Sequence, residues 1–169
     1  DMRRPWLGID SGATSGRAVL GRRAHDRIAL EELHRFPNGP VPLGGTLWWD
    51  LLHLWSGVIG SLRAATRRGT VDLGGIGVTT WGIDFGLLGG GGRLLEKPVC
   101  YRDARTEGME EVIRERLDDR RFYGITGMRI SRMGTLPQLL GLRRQPGAVL
   151  ERAQMLLQMP DLLRPLLGG

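Results

Sequence analysis

Residues 7–21 read Leu7-Gly8-Ile9-Asp10-Ser11-Gly12-Ala13-Thr14-Ser15-Gly16-Arg17-Ala18-Val19-Leu20-Gly21. A short apolar run ends in an acid, a glycine-bounded turn follows, and a second apolar run returns. That is the pattern of two buried strands joined as a hairpin. Such a turn can cradle phosphate. Backbone N–H groups freed by Gly12 and Gly16 can point at an anion, Thr14 and Ser15 add hydroxyl donors, and Arg17 adds charge. Asp10, at the strand end, can hold Mg²⁺ through water. An ordinary β-hairpin whose glycines merely turn the chain would read the same way.

Outward from the hairpin, residues 28–36 alternate apolar and polar side chains and predict a third, antiparallel strand, closed by the Pro37-Asn38-Gly39-Pro40 loop. Over 49–65, Leu51, Leu52, Trp55, Val58, Ile59 and Leu62 recur at helical spacing, with Asp50 in the first turn and Arg67-Arg68-Gly69 as the stop. Residues 76–80 read as a parallel-type strand, and 84–88 as another that turns through Gly89 to Gly92 into Arg93-Leu94-Leu95. Helices are predicted over 106–117, with Thr106 as the cap, and over 119–123, 136–144 and 148–152. Residues 155–157 read as a last strand, and Pro160 opens a helix over 161–167. The outcome is an α/β fold in which a mixed sheet, built on an antiparallel meander, is accompanied by helices.

Composition bounds the function. With 169 residues, 41% of them hydrophobic and 25% charged, the chain has the make-up of one globular domain or part of one. The net charge of +6 raises nucleic acid as a partner. Its distribution argues against that: Lys97 is the only lysine, so 23 of the 24 basic residues are arginines, scattered from Arg3 to Arg164 in nothing longer than pairs. Cys100 stands alone, which excludes a disulfide framework and fits a reducing cytoplasm. His25, His34 and His53 are isolated, and no stretch approaches the ~18 apolar residues of a membrane span. A Walker phosphate loop, a dinucleotide-binding glycine motif, a serine nucleophile elbow and a zinc-protease motif are all missing. Asp1 precedes Met2, and Gly168-Gly169 closes an apolar stretch, so both ends read as cut.

Five segments in order, Asp10 to Arg17, His34-Arg35-Phe36-Pro37-Asn38-Gly39, Thr80-Trp81-Gly82-Ile83-Asp84-Phe85-Gly86-Leu87-Leu88, Tyr101-Arg102-Asp103-Ala104-Arg105-Thr106 and Met159-Pro160-Asp161-Leu162-Leu163, resemble the N-terminal part of the FGGY carbohydrate kinases. The second and third segments point to the branch of that family that acts on L-rhamnulose. The resemblance implies an actin-like, ribonuclease H-like domain, truncated here at 1–169, whose intramolecular partner is an adenosine-binding C-terminal domain absent from this chain. It implies ATP, Mg²⁺ and a sugar, L-rhamnulose or a related ketose, converted to the 1-phosphate by positioning and charge neutralisation. Carried over residue by residue, Gly12, Ala13, Thr14, Ser15, Gly16 and Arg17 would contact ATP phosphates, Asp10 would sit by the metal, and Gly82 would contact sugar. Trp81 and Asp84 would be its neighbours on the sugar side, although a buried tryptophan and a turn-closing aspartate suit the same positions. Asp103 and Arg105 read foremost as an ion pair holding a loop.

Three positions depart from the family pattern. Thr79 and Pro137 stand where Asp and Tyr are usual, and Gly134 where Asn is usual. The first and last of these losses, at 79 and 134, thin the polar groups near the sugar and leave open a related ketose or a non-catalytic binding remnant. The family's general base, an aspartate in a Gly-x-x-x-Asp-Thr-Ala-like segment, is expected beyond residue 169, so no catalytic base is assigned here. Negligible turnover by this chain alone follows.

Overall fold

The computed structural model describes residues 4–69, 72–145, 147 and 149–168. Asp1, Met2, Arg3 and Gly169, on which the reading of the ends rests, and Ala148, at the expected start of a helix, lie outside the described residues. The strands are β1 Trp6–Ser11, β2 Ser15–Ala24, β3 Arg27–Pro37, β4 Pro40–Leu43, β5 Thr46–Trp49, β6 Gly75–Thr80, β7 Phe85–Leu88 and β8 Met155–Gln158. The helices are α1 Leu51–Arg67, α2 Met109–Arg114, α3 Asp119–Thr126, α4 Thr135–Arg143, α5 Val149–Arg152 and α6 Met159–Leu163. They group into two compact units, one of Asp1–Pro40, Asp50–Trp81 and Pro160–Gly169, the other of Val41–Trp49 and Gly82–Met159.

In the first unit a four-stranded sheet runs in the order β3-β2-β1-β6. β1 and β2, and β2 and β3, pair antiparallel, while β6 lies parallel to β1 after the crossover through α1. The expected meander and parallel strand are both present. Alternation does the work: Leu7, Ile9 and Ser11 of β1 point inward, and Leu7 and Ile9 pack with Ala18 against Val58 and Ala65 of α1. Asp50 sits one position earlier than expected, as the N-cap of α1, accepting a hydrogen bond from the His53 N–H at 3.0 Å.

The buried stripe of α1 also differs from the apolar pattern. Leu54, Gly57, Val58, Ser61 and Ala65 are buried, whereas Leu52 is 78% exposed. Small residues let the helix approach its neighbours closely, and Ser61 satisfies itself by donating to the Gly57 carbonyl at 2.8 Å.

In the second unit β4 and β5 form a hairpin where the sequence pattern predicts no strand. Gly44 and Gly45 turn it with φ of 62° and 81°, the left-handed pair a tight hairpin turn requires. β7 is not a parallel strand of the main sheet, as expected, but pairs antiparallel with β8 in a sheet of two. One core of the unit holds Phe85, Leu87, Leu142 and Val149, and another holds Ile113, Phe122 and Ile130. Thr106 does not cap a helix: it is buried in a 3₁₀ turn over Ala104–Thr106, and α2 begins only after Gly108. Past α6, which is shorter than expected, Arg164–Leu167 form a further 3₁₀ turn.

Candidate active site

The β1–β2 turn is closed by the Gly12 N–H donating to the Ser15 carbonyl at 2.9 Å. Asp10 and Arg17 face each other in register at its base, and the Arg17 Nε and Nη2 both donate to Asp10 Oδ2, at 3.3 and 3.2 Å. Their side chains remain 48% and 51% exposed, so the pair contributes at most about 1 kcal/mol and can open to a ligand. Thr14 is exposed, and Gly12, Ala13 and Ser15 are half-buried. Thr79, on the neighbouring strand, stands beside Asp10 in the parallel register.

Gly16 has a packing duty as well. A Cβ there would lie 2.1 Å from Phe36 Cζ, and one at Gly57 would lie 2.5 Å from the same ring. Phe36, itself buried, is thus wedged between the hairpin and α1, a close approach that only glycine permits on either side. Asn38, which the sequence reading passed over as part of a loop, reaches the turn directly: its Nδ2 donates to the Gly12 carbonyl at 2.8 Å and its backbone N–H to the Thr14 carbonyl at 3.0 Å. An open pocket of about 530 Å³, lined by Arg4, Trp6, Arg22, Arg23, Arg27 and Ile28, lies at the opposite end of β1 and β2 from this turn.

The Trp81-Gly82-Ile83-Asp84 segment carries a half-buried Trp81, an exposed Gly82 and a fully buried Asp84. Within the second unit Asp84 is the centre of a polar cluster. Its Oδ2 accepts from Trp49 Nε1 at 2.5 Å and from the Tyr101 N–H at 3.2 Å, and its Oδ1 accepts from Gln138 Nε2 at 2.8 Å. Ile83 is held through its carbonyl by Thr135 Oγ1 at 2.9 Å and Gln138 Nε2 at 3.1 Å. Arg105 Nη2 donates to Gln138 Oε1 at 2.8 Å, which turns the amide so that its NH₂ faces Asp84.

Asp103 holds its loop differently from the ion pair expected with Arg105. Its carboxylate accepts the N–H groups of Arg105 at 2.9 Å and Leu47 at 2.8 Å, while the Arg105 guanidinium goes to Gln138. Burial pulls Arg105 below its ordinary range, against the opposing pull of Asp103, Asp84 and Glu96. Burial likewise pushes Glu96 and the Cys100 thiol up. Gln138, Trp49 and Tyr101 were not singled out from sequence. Their only signal is their chemistry, since they join Asp84 across 54, 35 and 17 positions.

This arrangement of strands and helices recurs in solved carbohydrate kinases and defines the fold class. The xylulose kinase of Rhodospirillum rubrum superposes with a TM-score of 0.80 at 24% identity, covering 96% of this chain and 34% of that one. The gluconate kinase of Lactobacillus acidophilus gives 0.76 at 18% identity, covering 90% and 31%. Residues 5–169 match the N-terminal domain of the FGGY family of carbohydrate kinases, and the chain belongs to that family. It is 40% identical over 168 residues to the rhamnulokinase of Bacteroides thetaiotaomicron and 33% identical over 168 residues to that of Oceanobacillus iheyensis. The match takes in 99% of this chain in both cases, but the chain spans only 34% and 36% of those relatives. Among the described residues, no helix is long and apolar enough to cross a membrane.

Proposed function

We propose that this chain is the N-terminal domain of an ATP-dependent ketose kinase, with L-rhamnulose as substrate and L-rhamnulose 1-phosphate as product. The observation that carries the proposal is the Gly12–Gly16 turn at the end of β1, flanked by an exposed Asp10–Arg17 pair that a ligand can open. ATP phosphates would take the N–H groups and hydroxyls of Ala13, Thr14 and Ser15, with Arg17 moving from Asp10 to a phosphate oxygen, while Gly12, whose N–H already closes the turn on the Ser15 carbonyl, and the buried Gly16 shape the loop and do not donate to the phosphates. The released Asp10 carboxylate offers the hard oxygen that Mg²⁺ prefers. One such carboxylate is enough for an ion that keeps its waters and shares the nucleotide's phosphates. When bound, the metal supplies charge neutralisation at those phosphates.

In the transfer, the ketose 1-hydroxyl oxygen forms a bond to the γ-phosphorus, the bond to the ADP leaving oxygen breaks, and the hydroxyl proton passes to a base. Gly82 and Trp81 are assigned to the sugar. Asp84 is assigned a structural role within the second unit, because both of its oxygens already accept hydrogen bonds there. For the same reason the general base is assigned to neither Asp84 nor Asp103. It is expected, with the adenosine-binding domain, in the two thirds of the relatives' length that this chain does not span. Thr79 beside Asp10 keeps a second reading in play, a binding module without turnover. The lone Cys100 suits a reducing cytoplasm as the place of action.

Arg17→Ala in the full-length polypeptide separates ligand binding from folding. Losing one charge-assisted contact should raise the KM for ATP about tenfold. The melting temperature should move by no more than about 2 °C, because the pair is exposed. An unchanged KM for ATP would count against the phosphate-binding turn.

A further inference from the structure

We propose that Asn38 is a positioning residue for the phosphate turn, setting the direction in which its backbone N–H groups point. The proposal rests on the reading of residues 12–17 as a phosphate loop and names the residue that shapes it. A peptide unit is planar and trans, so its C=O and N–H point in opposite directions. Asn38 Nδ2 holds the Gly12 carbonyl at 2.8 Å, which turns the Ala13 N–H away from Asn38. The Asn38 N–H holds the Thr14 carbonyl at 3.0 Å, which turns the Ser15 N–H the same way. Two peptide units of a glycine-containing turn, which could otherwise flip, are fixed by one residue.

Asn38 is itself anchored. The carbonyl of Pro37 belongs to the same peptide unit as the Asn38 N–H, and it accepts a hydrogen bond from His53 Nε2 at 2.8 Å. His53 lies in the first turn of α1, where its own N–H is taken by the capping Asp50. A continuous line of hydrogen bonds therefore runs from the start of a 17-residue helix, through the 37–38 peptide, to the two carbonyls of the turn. Asn38 Oδ1 is buried without a partner, an unfavourable arrangement that an apolar side chain would avoid. The amide at this position uses only its donor end. That is expected of a side chain whose role is to hold a carbonyl.

The test is a pair of titrations on the full-length polypeptide, wild type and Asn38→Ala, with ATP and with adenosine. A phosphate-positioning role lowers ATP affinity about five- to tenfold, the worth of one directed hydrogen bond, and leaves adenosine affinity within twofold. Equal losses for both ligands, or none for ATP, would overturn the proposal. If Asn38→Ala does not fold, Asn38→Ser retains a short donor and is read by the same two titrations, with a smaller loss confined to ATP. A wild type that binds no ATP removes the phosphate-loop reading, and this proposal with it. A wild type that binds ATP normally while the variant does too removes only the role of Asn38.

Discussion

Asp84→Ala is expected to lose about 3 to 5 kcal/mol of folding stability, because it leaves buried polar groups without their acceptor. Trp49 Nε1, the Tyr101 N–H and Gln138 Nε2 all point at its carboxylate, which has no exposed surface. Gln138 Nε2 keeps the Ile83 carbonyl, whereas Trp49 Nε1 and the Tyr101 N–H lose the oxygen they share. Asp84→Asn keeps one accepting oxygen but sets its NH₂ against a donor, so it should fall between wild type and alanine. The double variant Asp84→Leu/Gln138→Leu should be less destabilised than the sum of its single changes, since it removes both partners of one bond. Urea titration followed by tryptophan fluorescence measures all five variants, the two single leucine changes included. A loss under about 1 kcal/mol for Asp84→Ala would mean that the cluster is not a support for the Gly82 turn.

The second large effect is expected at Gly16. The added methyl group of Gly16→Ala would stand 2.1 Å from the Phe36 ring, well inside contact, and α1 blocks the ring's retreat through Gly57. Overpacking of this kind is worth about 3 kcal/mol, and the strand must shift to relieve it. Such a shift also displaces the turn, so ATP affinity should fall with stability, unlike the Arg17→Ala result. Trimming the ring in Gly16→Ala/Phe36→Leu should recover part of both losses. The same Phe36→Leu change made alone should destabilise through the space it leaves. Additive losses in the double variant would show that the two residues do not press on each other.

The first unit was legible because its signals are local. Alternation in β1, the glycine-bounded turn, the helical period of 49–65 and the β-rich run before Trp81 are each a single continuous stretch of sequence, and together they dictate the meander, the crossover and β6. What was missed depends on distant partners. β7 looked like another buried strand of one sheet, because an apolar run does not reveal that β8, some seventy residues on, will pair with it. The stripe of α1 shifted towards Gly57 and Ser61 because Phe36 comes in from β3, a contact no helical period encodes. β4 and β5 were hidden by Pro40, Pro42 and the Gly44-Gly45 pair, residues that mark loops and tight hairpins alike.

The candidate site divides in the same way. Asp10 to Arg17 could be picked out by residue type and order, and the structure adds that the acid and the arginine face each other and are open to solvent. Asn38 lies only 26 positions from Gly12, yet nothing in the Pro-Asn-Gly-Pro string says that its side chain reaches back to the turn. For Asp84, the residue type was visible and its surroundings were not. A carboxylate suits sugar hydroxyls and buried donors equally well, and only the arrival of Trp49 and Gln138 from remote elements decides which it meets.

The most direct measurement is phosphoryl transfer by the full-length polypeptide that carries this domain, supplied with Mg²⁺, ATP and L-rhamnulose, with both products quantified. ADP and L-rhamnulose 1-phosphate in equal amounts, absent when the ketose is withheld, are the expected result. A folded protein that binds ATP but phosphorylates neither L-rhamnulose nor a related ketose would contradict the assignment as a kinase and leave the domain a binding module.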